Sequence, residues 1–162
     1  MELHMNGQHP SSQTPAQADR SIQPLALVLL LALAAVLFFV GLGSLGLTDR
    51  DEGRNAEAGR EMYETSNYIS PTFNYEPRFA KPVFVYWLMS LSYHVFGVSE
   101  FAARFPSAIF GVGLILLQYL FVTRCRGPVV GLFGAAMLLL NLEIIGLSRM
   151  ALTDSVLIFF TT

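Results

Sequence analysis

The chain alternates between long apolar stretches and short, densely polar ones, and the changeovers are sharp. Residues 24–47, PLALVLLLALAAVLFFVGLGSLGL, contain no charged side chain. At about 1.5 Å per residue, such a helix crosses a hydrocarbon core of about 30 Å. Residues 107–123, SAIFGVGLILLQYLFVT, and 128–147, PVVGLFGAAMLLLNLEIIGL, read as two further spans joined by a basic RCRG turn, and a fourth apolar run starts at 155 and continues to 162. The pattern predicts an all-α integral-membrane protein: a multi-span helical bundle over residues 24–162, with an external juxtamembrane helical loop, 48–106, after the first span. Residues 1–23 are rich in Gln, Ser, Pro and His without apolar periodicity, so a disordered cytoplasmic tail is expected, with His4 and His9 solvated.

Inside the external loop lies a shorter apolar segment, VFVYWLMSLSYHVFGV, at 83–98. It falls below the roughly 20 residues of an untilted span, and Tyr86, Trp87, Tyr93 and His94 suit a membrane interface. The basic residues agree. Arg20, before the first span, and Arg124 and Arg126, in the RCRG turn, all fall on the cytoplasmic side only if this segment does not cross. It is therefore read as a helix on the outer leaflet, with His94 an interfacial side chain rather than a ligand. Asp154 then emerges on the same membrane face as Asp51.

Composition supports a membrane protein: 53% of residues are apolar, 14% are charged and the mean hydropathy is +0.50. A net charge of -2 without a basic patch speaks against a nucleic-acid partner. Cys125 is the one cysteine, which excludes an internal disulfide and any CxxC motif and reads as a small filler near a membrane boundary. Gly41, Gly43 and Gly46 match GxGxxG literally, but they close an apolar span instead of linking a strand to a helix. Helix packing or a loosened helix end explains them better than nucleotide binding. A cleavable signal peptide is the rival reading of the first span, yet its apolar region would normally be about 7 to 15 residues. The sequence stops on SVLIFFTT with no polar exit, so the chain is expected to be the amino-terminal part of a longer protein, inactive by itself.

The chemistry concentrates in TDRDEGRNAEAGREM, residues 48–62, with eight charges in fifteen residues directly after the first span. The spacing predicts a helix over 49–64, capped by Asp49 or Asp51 and laced by Glu57–Arg60 and Arg60–Glu64 pairs. A solvated amphipathic helix is the plain reading. Its place beside a bilayer is the reason to look further, because a carboxylate there loses hydration unless it has partners or a task. Two carboxylates on one membrane face, Asp51 and Asp154, suit acid and base work, with Arg78, Lys81 and Arg149 as the cations for a departing phosphate. Lys81, held by Pro82 at the start of the interfacial helix, fits a lipid phosphate and equally well a snorkelling anchor. Glu143 reads as a structural acid bonded to Asn141 or a neighbouring helix. Zinc spacing, a Ser-His-Asp set and a P-loop are all missing from the sequence, so hydrolase and ATPase readings have no support.

Three pieces in register, DEGRNAEAGREM, KPVFVYWL and RFPSAIFG with GLSRMALTDSVLIFF, resemble the amino-terminal region of the GT-C integral-membrane glycosyltransferases. The likeness is to the protein O-mannosyltransferase and lipid A aminoarabinose transferase superfamily. It implies sugar transfer from a polyprenyl-phosphate donor to an extracytoplasmic lipid, glycan or protein acceptor, with inversion at the anomeric carbon, by a multi-pass protein of the bacterial plasma membrane. It places Asp51, with Asp154 and Glu52, in the catalytic set, and gives Lys81, Arg78 and Arg149 the donor phosphate. Arg54, Glu57 and Tyr86 are supporting residues. Relatives often carry an acid before the Lys-Pro step that helps bind a divalent cation. Here that position is Ala80, so no cofactor is assigned and a divalent cation is left open. Val83 replaces the second proline of the pattern without disturbing the helix start. A second hypothesis of another class is a non-enzymatic transport or assembly module, using the charged loop for a partner and Asp154 for ion coupling.

Overall fold

The computed structural model describes residues 15–162, with side chains from Pro24 onward; His4, His9, the Arg20 side chain and the first part of the expected tail lie outside the described residues. Seven helices and one small hairpin follow in order: α1 Pro15–Phe39, α2 Arg50–Thr65, β1 Thr72–Phe73, β2 Glu76–Pro77, α3 Val83–Phe96, α4 Glu100–Arg126, α5 Pro128–Leu139, α6 Leu142–Ser148 and α7 Asp154–Thr161.

The first helix stops eight residues before the expected end of the span at 47. Three glycines within six residues disfavour helix, and Gly41 takes a φ of +69°, which a side chain would resist. The stretch that follows is a set of turns, held at its start by the Ser44 hydroxyl donating to the Gly41 carbonyl at 2.7 Å. Both readings offered for GLGSLG are observed: the helix end is loosened, and Gly43 packs so closely on α4 that a Cβ there would stand 3.0 Å from Phe101 Cβ.

Helix α2 forms as its sequence predicts. The Asp49 side chain caps it, accepting from the N–H of Asp51 at 2.8 Å and of Glu52 at 3.3 Å, and Ser66 ends it in the left-handed region. The short hairpin beyond is a feature that an all-α reading omits. Thr72 pairs with Pro77 and Phe73 with Glu76, around a two-residue corner in which Asn74 and Tyr75 have φ of +55° and +62°. Both corner residues at positive φ is the geometry that twists a tight hairpin correctly. Helix α3 then starts after Pro82, as expected, and packs antiparallel along α2.

Helix α4 begins seven residues before the predicted span, at Glu100, because Ser99 caps it by accepting from the Ala102 N–H. Its 27 residues reach about 40 Å, beyond a hydrocarbon core of about 30 Å. The expected span at 128–147 is broken: Asn141 leaves the helix, caps α6 through the N–H groups of Glu143 and Ile144, and bends the pair by 68°. Glu143 lies exposed on the first turn of α6 and not in a packed interior, and Cys125 is exposed rather than a filler. Among the described residues, α4 alone is long and apolar enough to cross a membrane by itself; α5 and α6 qualify together, while Pro24–Phe39 and α3 are shorter.

Two cores result. Ala34, Phe38 and Leu42 meet Ala108 and Ile115 of α4 and Ala135 and Leu139 of α5. Ala56 of α2 meets Val85, Met89 and Tyr93 of α3, Ala102 and Ala103 of α4, and Ala151 of the α6–α7 loop. The outward positions of α1 and α5 stay apolar: Leu25, Val28, Leu29, Leu33, Val36, Phe133 and Met137 are exposed.

Gly111 on α4 lets the end of α6 approach; a Cβ there would stand 2.7 Å from Ser148 Cβ and 3.1 Å from the Phe38 ring. Gly111→Val is expected to cost about 1–3 kcal/mol by overpacking, read as a lower thermal midpoint of the detergent-solubilised protein. The same change at Gly53, where nothing lies within 4 Å of the added atom, is expected to spare the packing.

Candidate active site at one end of the bundle

Two segments far apart in sequence meet where α1 ends. Helix α2 enters at Glu52, whose carboxylate is fully buried against the equally buried Arg104 of α4. Arg104 Nε donates to Glu52 Oε1 at 2.6 Å and Nη2 to Oε2 at 3.0 Å, a bidentate fork. Its remaining N–H groups go to the carbonyls of Leu42 at 2.8 Å, Leu45 at 2.7 Å and Gly46 at 2.9 Å. All five donors of the guanidinium are thereby used. Glu52 Oε1 also accepts the Ala151 N–H at 2.9 Å, while the Asn55 amide donates to the Ala151 carbonyl at 3.3 Å and the Ser107 hydroxyl to the Leu152 carbonyl at 3.2 Å.

The electrostatics follow from that geometry. Burial pushes the Glu52 carboxyl up, but the Arg104 hydrogen bonds, the Ala151 N–H and the Arg104 charge together outweigh it and hold the group below its ordinary value of 4.5.

This junction places the candidate residues as follows. Asp51, beside Glu52, is exposed and 3.7 Å from Arg54 in an ion pair. Asp154, three residues after the pinned Ala151, is half-buried in the first turn of α7. Asp51 and Asp154 thus belong to segments bound to each other at one end of the bundle. Arg149 caps the end of α1, donating to the carbonyls of Leu37 and Val40. With Arg104, Glu52 and Thr48 it lines a cavity of about 250 Å³ between the α1 end and the α6–α7 loop.

Other candidates sit elsewhere. Glu57 is held by Arg60 through hydrogen bonds of 2.9 and 2.6 Å, which lower its carboxyl despite partial burial, and Arg60 also bridges to Glu64. Arg78 lies 5.5 Å over the Phe73 ring, with Nε 3.4 Å from the hydroxyl of the fully buried Tyr86. Lys81 is half-buried just before α3, and among the described residues neither it nor Asp154 makes a side-chain hydrogen bond or ion pair. No three His, Cys, Asp or Glu side chains converge on a metal position among the described residues, and Ala80 supplies no ligand beside Lys81. The described residues by themselves do not assemble a divalent-cation site there.

Arg104, Asn55 and Glu61 were missed by the sequence reading. In the sequence Arg104 stands only as the first residue of RFPSAIFG, although an arginine at the start of an apolar helix signals a buried partner. Glu52, Asn55, Gly59 and Met62 are spaced as one helical face, and that phase could have separated the inward acid, Glu52, from the outward one, Asp51.

This chain is similar to known proteins in sequence and fold. Residues 80–162 match the family described as dolichyl-phosphate-mannose-protein mannosyltransferase. An uncharacterised protein of Aquifex aeolicus is 37% identical over 134 residues, covering 82% of this chain and 32% of its own length. The undecaprenyl phosphate-alpha-4-amino-4-deoxy-L-arabinose arabinosyl transferase 2 of Pseudomonas fluorescens Pf0-1 is 36% identical over 121 residues, 74% of this chain and 22% of its own. The crystal structure of ArnT from Cupriavidus metallidurans bound to undecaprenyl phosphate superposes with a TM-score of 0.78 at 30% identity, covering 83% of this chain and 25% of that one. Fold and site together define a member of the GT-C glycosyltransferase superfamily. Within it, the chain belongs to the dolichyl-phosphate-mannose-protein mannosyltransferase family. It spans about a fifth to a third of the length of these relatives.

Removing one partner of the Glu52–Arg104 pair leaves a buried charge alone, so Arg104→Leu is expected to cost about 3–5 kcal/mol in unfolding experiments. Because Glu52 titrates lower in the folded protein than in the unfolded chain, its contribution is complete above the unfolded value of 4.5 and is lost as pH falls through the lower folded value. The melting temperature should fall on acidification through that window, and Glu52→Gln should flatten this part of the profile.

Proposed function

We propose that the protein transfers a sugar from a polyprenyl-phosphate donor to an acceptor outside the cytoplasm, as a multi-pass protein of the bacterial plasma membrane. The observation that carries this reading is the Arg104–Glu52–Ala151 junction, which binds the Asp51 segment to the Asp154 segment at one end of the bundle. The apolar outward faces of α1 and α5 and the length of α4 support spanning placement, with 48–106 outside and α3 along the outer leaflet. The likeness to arabinosyl transferases, and to a structure holding undecaprenyl phosphate, supports the donor class.

In the reaction, the acceptor oxygen or nitrogen attacks the anomeric carbon in line. The bond to the new sugar forms, the bond from that carbon to the donor phosphate oxygen breaks, and the configuration inverts. Asp51 accepts the acceptor's proton as it attacks, and Arg54, 3.7 Å away, orients the carboxylate. Asp154 is the second acid facing the acceptor. The polyprenyl phosphate leaves as an anion, received by Lys81 and Arg78. Glu52 acts through position, since its oxygens are occupied by Arg104 and the Ala151 N–H, and Arg149 serves the same end by fixing the α1 terminus.

Membranes containing the full-length protein, supplied with undecaprenyl-phosphate sugar and acceptor, test the assignment. Asp51→Asn is expected to lower turnover by about 10²–10⁴, the worth of a general base, with normal turnover removing Asp51 from the mechanism. The placement has its own check. In a Cys125→Ser background, Thr48→Cys and Asp154→Cys should both react with an impermeant maleimide on intact cells, whereas native Cys125 should react only after permeabilisation.

A further inference from the structure

The carboxylate of Glu61, near the end of α2, is fully buried, and among the described residues no cation pairs with it. Its partners come from one loop. The Thr72 hydroxyl donates to Oε2, and the Tyr75 N–H lies 3.2 Å from both carboxylate oxygens. A buried acid without a countercharge is retained at a cost, and here what it gains is a grip on the hairpin corner. Tyr75 is the corner residue with φ of +62°, a conformation that an aromatic side chain adopts only when its surroundings insist. The base of the hairpin closes through the Arg78 N–H donating to the Pro71 carbonyl at 2.8 Å, and the Arg78 guanidinium then settles over Phe73 and beside Tyr86. The Trp87 indole donates to the Tyr68 carbonyl at 2.7 Å, tying the start of the same loop to α3. Lys81 stands at the loop's exit.

We propose that Glu61 is a positioning residue for donor binding: it moors the loop between α2 and α3 so that Arg78 and Lys81 stand where the polyprenyl phosphate arrives. This rests on the reading of Arg78 and Lys81 as phosphate contacts. Glu61 does not touch the donor. It sets the place of the two side chains that do, and its loss should weaken donor binding more than it slows the chemical step.

Two variants and two readouts test it, on the protein in detergent and in membranes. Glu61→Gln turns one acceptor into an amide N–H that faces a donor, and Thr72→Val removes only a hydroxyl from the loop side, a milder change should Glu61→Gln fold poorly. The first readout is trypsin cleavage after Arg78, since Pro82 protects the Lys81 bond. Cleavage is expected to rise about tenfold in each variant as the moored loop opens. The second is KM for undecaprenyl-phosphate sugar, expected to rise about tenfold with kcat within about twofold, and Lys81→Ala is measured alongside. Unchanged cleavage in both variants overturns the mooring. Faster cleavage with a normal KM, while Lys81→Ala raises KM, overturns the link to donor binding. A normal KM in Lys81→Ala overturns the phosphate reading itself and the donor role of Glu61 with it.

Discussion

One guanidinium organises this protein. Arg104 satisfies three main-chain carbonyls that the glycine-rich end of α1 leaves open, and with its last donors it neutralises the only acid that α2 sends into the same interior. Neither half would be stable alone. Carbonyls freed by a broken helix in apolar surroundings each cost hydrogen-bond energy, and a buried carboxylate without a partner costs more. A lysine could carry the charge but not the planar fork that reaches a carboxylate and three carbonyls at once. Arg149, arriving from the end of α6, completes the collar by taking the carbonyls of Leu37 and Val40. Five carbonyls between residues 37 and 46 are thus held by two arginines from two other helices.

That collar explains how one helix serves both fold and chemistry. Helix α2 turns Glu52, Asn55 and Glu61 inward, the first two bonding Ala151 and the third the hairpin at Thr72 and Tyr75, and leaves Asp51 and Arg54 at the open side. Asp51 is therefore held rigidly by its neighbour's bonds while its own oxygens stay available. Asp154 and Lys81 stand beside these anchored positions, and among the described residues neither side chain makes a hydrogen bond or ion pair.

The break at Asn141 and the early end of α1 make a related point. An apolar run long enough to cross a bilayer need not be one straight helix. At both places the freed backbone groups are taken up, by Asn141 itself on α6 and by the two arginines on α1, which is the condition under which a break in an apolar helix is tolerated.

Much was legible in the chain itself because it depends on neighbours in sequence. The Asp49 cap, the Glu57–Arg60–Glu64 ladder, the proline before α3 and the apolar character of α4 all follow from spacing of three or four residues and from composition. The motif order also pointed to the family. What only the tertiary structure decided are the bonds that join residues 52 and 104, 52 and 151, and 55 and 151. No local pattern encodes which of two adjacent acids turns inward to meet an arginine 52 residues away. That choice depends on where α4 and the α6–α7 loop pack, and it is the choice that separates the buried acid, Glu52, from the exposed one, Asp51.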